Sequence, residues 1–224
     1  MSLSHPQTRA GVKYFCKVGK LEVTNDLMTN DPMTDMRKLI VSMNVTLDGF
    51  MSGPDCELDW HFNAWNGEMA QVASEQLSRA DTIILGRVTY RAMASYWPMR
   101  SMSLLCARED ILFADMMNTH AKIVFSKTMQ SATWNNTRLV KRDIEKEIRS
   151  LKQKAGKDMI VYGSGKIVSA LIHLDLVDEY QVWVHPVVLG KGKPLFPELQ
   201  QSIRMKLFNT KTFSSGVVLL TYLM

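Results

Sequence analysis

Cysteine is scarce in this chain of 224 residues, with Cys16, Cys56 and Cys106 the only three. Odd in number and widely spaced, they argue against a disulfide framework and a zinc site, and agree with a reducing, cytoplasmic setting. Long apolar runs are lacking as well. None approaches the roughly eighteen residues of a membrane span, so no membrane association is expected. Residues 1–10 contain no apolar stretch of the kind a secretory signal needs. His61, His173 and His185 show no metal-ligand spacing, and the cysteines have no neighbouring histidine constellation. Neither a metal nor a thiol nucleophile is therefore expected. No internal repeat and no long linker interrupts residues 37–224.

What remains is an ordinary globular composition, 46% hydrophobic and 22% charged, long enough for one domain with a real core. Sixteen methionines read mostly as core filler. The net charge is +5. Within residues 1–36, Arg9, Lys13, Lys17 and Lys20 are balanced by Glu22, Asp26, Asp31 and Asp35, so the whole excess lies on 37–224. A basic domain suits an anionic small ligand. Nucleic acid is not expected, because the basic residues near Lys141 and between Lys152 and Lys157 are mixed with acids at helical spacing, as on a solvated face. Residues 1–36 show no sustained period and read as a flexible N-terminal extension, with the folded domain occupying 37–224.

Along that domain, Lys38 to Thr46 is almost continuously strand-like, the mark of a strand buried on both faces. Asp48-Gly49 signals a turn, and Gly53 to Asn66 a polar and aromatic loop. Gly67 to Arg79 places Met69, Val72, Ala73 and Leu77 on one helical face. Asp81 to Leu85 is a short buried strand, followed by a helix from Arg87 to Tyr96 that should stop before Trp97-Pro98. Met102 to Met117 has a weaker helical pattern. Ala121 to Phe125 and a stretch within Trp134 to Val140 read as strands. Asp143 can N-cap a helix carrying Ile144, Ile148, Leu151 and Ala155 on one stripe, with Gly156 as its stop. Asp158 to Tyr162 is a strand, Lys166 to Leu174 a helix and Tyr180 to Val188 a long strand. Ile203 to Thr212 and Gly216 to Leu223 form a closing hairpin. Strands alternate with helices to about residue 175, and strands alone follow. That order predicts an α/β fold with a mostly parallel sheet and an antiparallel C-terminal edge.

Two strand-to-helix turns stand out: Leu85-Gly86-Arg87-Val88-Thr89-Tyr90 and Val161-Tyr162-Gly163-Ser164-Gly165-Lys166. Helix starts present free N–H groups to anions, and glycine lets a phosphate approach the backbone. Arg87, Thr89, Ser164 and Lys166 add charge or hydrogen bonds. The second turn is no P-loop, since Ile160 and Ile167 occupy the positions of its first glycine and its hydroxyl residue. It is no G-x-G-x-x-G either, because Val168 stands where the last glycine belongs. Taken singly each turn is plain strand–helix geometry. Together they suit one ligand with several phosphates, such as a dinucleotide, bound beyond the strand ends. Ser126-Lys127 closes a third strand, where a hydroxyl and an ammonium can meet a ribose 2′-phosphate. Asp48, Asp59 and Glu68 lie near the expected cleft, where one carboxylic acid can hold or protonate a nitrogen heterocycle during hydride transfer.

The same residues carry a family resemblance. Val41 to Phe50, Leu58-Asp59-Trp60, Ile84 to Tyr90 with Tyr96-Trp97-Pro98, Val161 to Gly165 and Pro186 to Phe196 resemble the dihydrofolate-reductase-like family. Over roughly residues 37–223 they are most similar to the branch typified by the C-terminal reductase domain of riboflavin biosynthesis. The resemblance implies a three-layer α/β/α fold that binds NADPH. It implies Gly86, Arg87 and Thr89 on the phosphates, Ser126 and Lys127 near the adenosine 2′-phosphate, Gly163, Ser164, Gly165, Lys166 and Ile167 at the pyrophosphate, and Asn44 and Val45 near the nicotinamide. It further implies a homodimer. Of the carboxylates near the cleft, Asp48 or Asp59 is expected to position or protonate the acceptor. The reaction expected is 5-amino-6-(5-phosphoribosylamino)uracil reduction, with dihydrofolate reduction or non-catalytic nucleotide binding as alternatives. Two features depart from the pattern. Tyr162 stands where riboflavin reductases carry a glutamate before the glycine pair, and the helix-start carboxylate of dihydrofolate reductases falls to either Asp59 or Glu68. No N-terminal deaminase domain is expected in residues 1–36, which lack the zinc-ligand signature.

Overall fold

The computed structural model describes residues 36–100, 108–196, 199 and 202–224. The chain divides after Thr34, and the described residues belong to the unit Asp35–Met224. Met36 aside, the expected extension over 1–36 lies outside the described residues. In chain order the elements are β1 (Leu39–Thr46), β2 (Phe50–Ser52), α1 (Asp59–Phe62), α2 (Gly67–Ser78), β3 (Ala80–Gly86), α3 (Arg87–Arg100), α4 (Arg108–Thr119), β4 (Ala121–Phe125), β5 (Thr137–Val140), α5 (Ile144–Lys152), β6 (Asp158–Val161), α6 (Gly165–His173), β7 (Glu179–His185), β8 (Lys193–Pro194), β9 (Lys206–Thr212) and β10 (Val218–Leu223).

Eight strands form one sheet in the order β5-β4-β3-β6-β1-β7-β10-β9. The neighbours from β5 to β7 are parallel, and β10 runs antiparallel to both β7 and β9. This is the α/β sheet, mostly parallel with an antiparallel C-terminal edge, that the order of patterns implied. The nearly continuous strand signal of β1 is explained by its central place, covered on both faces.

Side chains alternate across the strands and feed two layers. Leu39, Val41 and Val45 of β1 pack with Ile148 and Leu151 of α5 and Ile167, Val168 and Leu171 of α6. On the opposite face Ile83 and Leu85 of β3 pack with Leu77 of α2, Tyr90 of α3 and Met117 of α4. Met69, Val72 and Ala73 of α2 cover Trp183 of β7 and Leu219 of β10. Each fully buried Leu or Met among them contributes about 1.5–3 kcal/mol, so the apolar stripes, rather than helix propensity, hold the helices in place. Asp143 caps α5 as expected, its carboxylate accepting the Lys146 N–H at 3.0 Å.

Several expectations need correction. The helix begun at Arg87 does not stop before Trp97-Pro98 but runs through Pro98 to Arg100. Its end is supported from α4: Trp97 packs on Phe113 at 5.1 Å, and Asn118 Nδ2 donates to the Trp97 carbonyl at 3.1 Å. That tertiary support outweighs the local cost of an interior proline. Of the helix expected over Met102 to Met117, residues 102–107 lie outside the described residues, and α4 continues to Thr119. The α5 helix ends at Lys152, short of Gly156. The pairing of β2 with β8 and the single turn α1 were not foreseen, being too short for a periodic signal.

Lys122 of β4 is also unforeseen. It is fully buried, its ammonium donating to the carbonyls of Met117, Asn118 and His120 at 2.8, 3.1 and 2.8 Å. It thus closes the C-terminal end of α4, and burial pushes its pKa down to about 8.

Candidate functional site

The site begins at the carboxyl ends of adjacent strands. In the sheet β3 lies beside β6, with Ile84 level with Val161, so the two glycine bends leave neighbouring positions on the rim. The bends interlock. Gly86 N–H donates to the Gly163 carbonyl at 2.8 Å. A Cβ on Gly86 would overlap Ser164 Oγ and come within 3.0 Å of the Ser164 nitrogen. Gly163 has φ +108°, and a Cβ there would meet Thr89 Oγ1 of α3 at 3.1 Å. Glycine is therefore required at both positions by space or by backbone conformation. The Gly163–Ser164 peptide is cis.

Helices start at both bends. Arg87 is the first residue of α3 and is exposed. Ser164 is the N-cap of α6, yet its side chain makes no capping bond. The first N–H groups of a helix have no intrahelical acceptor, so this end offers donors and a positive dipole end to an anion. Gly165 sits close against Met51, where a Cβ would meet the methionine methyl at 2.6 Å, and Lys166 projects to solvent. Ile167 differs from its neighbours: its side chain is buried in the core and its N–H donates to Ser164 O at 2.8 Å. Gly86, Thr89, Gly163 and Ser164 are thus brought together with Arg87 and Lys166 at the edge, while Ile167 faces inward.

The third strand end lies next to the first, since β4 runs beside β3 with Phe125 level with Gly86. Ser126 Oγ accepts the N–H groups of Thr128 and Met129 at 3.3 and 3.1 Å, which leaves the hydroxyl proton to donate. Lys127 is exposed.

The centre of the site is set by register. β6 matches β1 only from Leu39 to Val41, whereas β7 follows β1 to Thr46. Beyond Val41 one edge of β1 is therefore left beside the second glycine bend. The Val45 side chain points into the core under α6, so its backbone is what it offers there. Asn44 points to the opposite face, where its Oδ1 lies 2.8 Å from Nε2 of His185 on β7.

The two candidate carboxylates differ. Asp48 accepts the Thr46 hydroxyl at 2.5 Å and the backbone N–H groups of Leu189 and Gly190 at 3.3 and 2.7 Å. The Thr46 hydroxyl, followed by those amides against partial desolvation, holds its carboxyl below the usual range. Asp48 therefore ties the turn after β1 to the loop after β7. Asp59 opens α1 and is exposed. Glu68, in the first turn of α2, accepts from Ser214 N–H and Oγ at 3.2 Å each.

Sequence reasoning considered His185 only as a metal ligand, Trp60 only as part of a family motif and Tyr162 only as the residue in place of a glutamate. His185 is 0% exposed, with its Nδ1 unpartnered among the described residues. Its ring meets Trp60 edge-on at 5.2 Å and His61 at 6.1 Å. Burial, with the nearby His61, pulls the His185 pKa down to about 4, and burial lowers that of His61 too. Tyr162 is turned into the core under α3 and α4, its hydroxyl unpartnered among the described residues, and burial pushes the phenol up. Alternation along the strand was the available signal, since it puts His185 on the face opposite Val184. Among the described residues no three His, Cys, Asp or Glu side chains gather closely enough to hold a metal ion.

The family model of the RibD C-terminal domain matches residues 37–219. The uncharacterized protein YyaP of Bacillus subtilis (strain 168) is 37% identical over 195 residues, covering 87% of this chain and 98% of YyaP. A crystal structure from Shewanella sp. PV-4, of a protein named for riboflavin biosynthesis, matches with a TM-score of 0.65 at 24% identity, over 83% of this chain and 98% of that one. Dihydrofolate reductase from Enterococcus faecalis, solved with NADP(H), matches with a TM-score of 0.53 at 15% identity, over 83% of this chain and 95% of that one. At those identities the two structures establish the shared fold.

Proposed function

The chain belongs to the RibD C-terminal domain family, and from that premise we propose that it is an NADPH-dependent reductase acting on a small heterocyclic acceptor. The observation that carries this reading is the interlocking of the bends at Gly86 and Gly163. Glycine at both bends lets them pack on one another, which sets two helix starts, one followed by Arg87 and the other by Lys166, side by side where a ligand with several phosphates could bind. The residues present fit NADPH. Gly86, Arg87, Thr89, Ser164, Gly165 and Lys166 would hold its phosphates, with the Ile167 backbone completing the turn. Ser126 and Lys127 would meet the 2′-phosphate, and Asn44 with the Val45 backbone would border the nicotinamide. When bound, NADPH supplies the hydride.

The chain's own part is to align acceptor and cofactor and to exclude water. Asp59, exposed at the start of α1, is the carboxylate free to position the acceptor or pass it a proton. Asp48 would act by holding the 189–190 loop. The acceptor of first choice is the pyrimidine of 5-amino-6-(5-phosphoribosylamino)uracil, with dihydrofolate second. The replacement of the family glutamate by a core-packed Tyr162 favours a second reading, a nucleotide-binding protein without turnover. A homodimer belongs to the proposal, supported by β9, an edge strand whose seven residues are all exposed, Leu207 and Phe208 by 51% and 69%. No helix among the described residues is long and apolar enough to cross a membrane.

Titrating the protein with NADPH and following tryptophan fluorescence tests the cofactor half. Saturation is expected, and absence of binding at about 1 mM, an interaction weaker than roughly 4 kcal/mol, overturns it. NADPH oxidation with each acceptor separates enzyme from binding protein.

A further inference from the structure

The net charge of the chain is +5, and residues 138–157 account for all of it, with eight basic residues against Asp143, Glu145 and Glu147. This stretch spans most of β5, the whole of α5 and the turn after it, on the flank of the molecule where the sheet ends. Its acids are engaged: Glu147 pairs with Arg138, Glu145 with Arg149 at 2.9 Å, and Asp143 caps α5. Lys141, Arg142, Lys146, Lys154 and Lys157 are exposed and have no ion pair among the described residues.

Two further features distinguish this flank from a merely solvated face. The first is the open edge of β5. Asn136 and Val140 turn their carbonyls toward β4, accepting the N–H groups of Lys122 and Ser126 at 2.7 and 3.0 Å. Alternation turns the N–H and C=O of Thr137 and Leu139 outward, where they meet no partner among the described residues. The second is a cleft of about 490 Å³ beside that edge and the end of α5. Thr82, Ile123 and Leu151 are its buried residues, while Arg138 and Lys154 stand exposed at its mouth. The cleft opens at the amino ends of β4 and β5, away from the glycine rim, so this surface is separate from the proposed reductase site.

An extended peptide can join a sheet edge through its backbone while neighbouring pockets take alternate side chains. We propose that the edge of β5 docks an extended acidic segment of another protein, added to the sheet as a further strand, with an apolar side chain in the cleft at Leu151 and carboxylates against the cations of β5 and α5. Charge selects this occupant. Two copies of the edge would set like charges against each other, which is how cations on an edge strand oppose self-pairing. An acidic strand turns the same charges into attraction. A polynucleotide would satisfy the cations alone and leave the backbone edge unpaired. The opposite edge, β9, has only Lys206 and Lys211 and is the one assigned to the homodimer.

The test is fluorescence anisotropy of labelled, capped heptapeptides with the whole chain at low salt. The peptide EELEIEE is expected to bind. Its analogue N-methylated at the three central residues keeps charge and side chains but loses the ladder donors, and should bind about tenfold more weakly. A single-stranded oligothymidylate of equal charge should bind no better than that analogue. Lys154→Glu, at the mouth of the cleft, should weaken EELEIEE about tenfold, whereas Lys206→Glu on β9, the same change in net charge, should leave it unaltered. Both lysines are exposed, so folding is not at stake. The amide protons of Thr137 and Leu139 should exchange more slowly in the complex. No binding at about 1 mM peptide, equal binding of the N-methylated analogue, tighter binding of the oligothymidylate or unchanged exchange at those two amides would overturn the docking surface. So would equal losses from Lys154→Glu and Lys206→Glu, the mark of net charge alone.

Discussion

The rim at Gly86 and Gly163 and the cover at Trp60 and His185 stand at the ends of nearby strands, but they are built from different material. The rim is backbone: glycines in contact, a carbonyl accepting an amide at 2.8 Å, and two helix starts. The cover is side chain: an indole from the single turn α1 over an imidazole from β7, each with a nitrogen unpartnered among the described residues. Backbone placed by a sheet tolerates almost no substitution and suits an unvarying ligand. A side chain on a short turn such as α1 can change without disturbing the sheet, which suits the part of a site that varies with the ligand.

Substitution at the rim should have the largest effect. Gly86→Val puts a branched side chain into Ser164 and its backbone. NADPH affinity is expected to fall about 100-fold or more, the size of a steric conflict worth some 3 kcal/mol. Fluorescence titration checks this, and an unchanged affinity would break the comparison.

Acid should strike the cover next. His185 is held at about 4, against about 6.5 when unfolded, so between these values the unfolded chain binds more protons. Stability from this group is complete above pH 6.5 and drains away as pH falls toward 4, by on the order of 3 kcal/mol. The lowered His61 acts in the same direction. Urea midpoints against pH should fall across this window, and His185→Leu should flatten the slope.

Lys127→Ala should cost about tenfold in NADPH affinity and little in NADH affinity, as expected of one charge on a phosphate. Competitive binding of the two cofactors measures it. The smallest effect is expected from Asp48→Asn, which weakens the grip on the amides of Leu189 and Gly190. Hydrogen exchange at those two amides should quicken while NADPH affinity holds.

The elements were largely legible because their patterns are local. The short apolar run of β4 and the cap of α5 at Asp143 need only neighbouring residues. Legibility failed where distant partners decide. Pro98 stays helical because Asn118 and Phe113 support Trp97 from another helix. The site divides likewise. Glycines before basic and hydroxyl residues at helix starts can be read along the chain, whereas His185 looked like any strand histidine until Asn44, 141 residues away, was found beside it.

The sequence by itself determined that strands and helices alternate, that strands alone close the chain, and that two glycine bends open helices after buried strands. Only the tertiary structure decided that those bends touch and that an indole closes over a histidine. Side-chain periodicity sets which face of a strand is buried, but the order of strands in the sheet follows from how whole faces pack. It is that order, β3 beside β6 and β1 between β6 and β7, that makes one site of residues far apart in the chain.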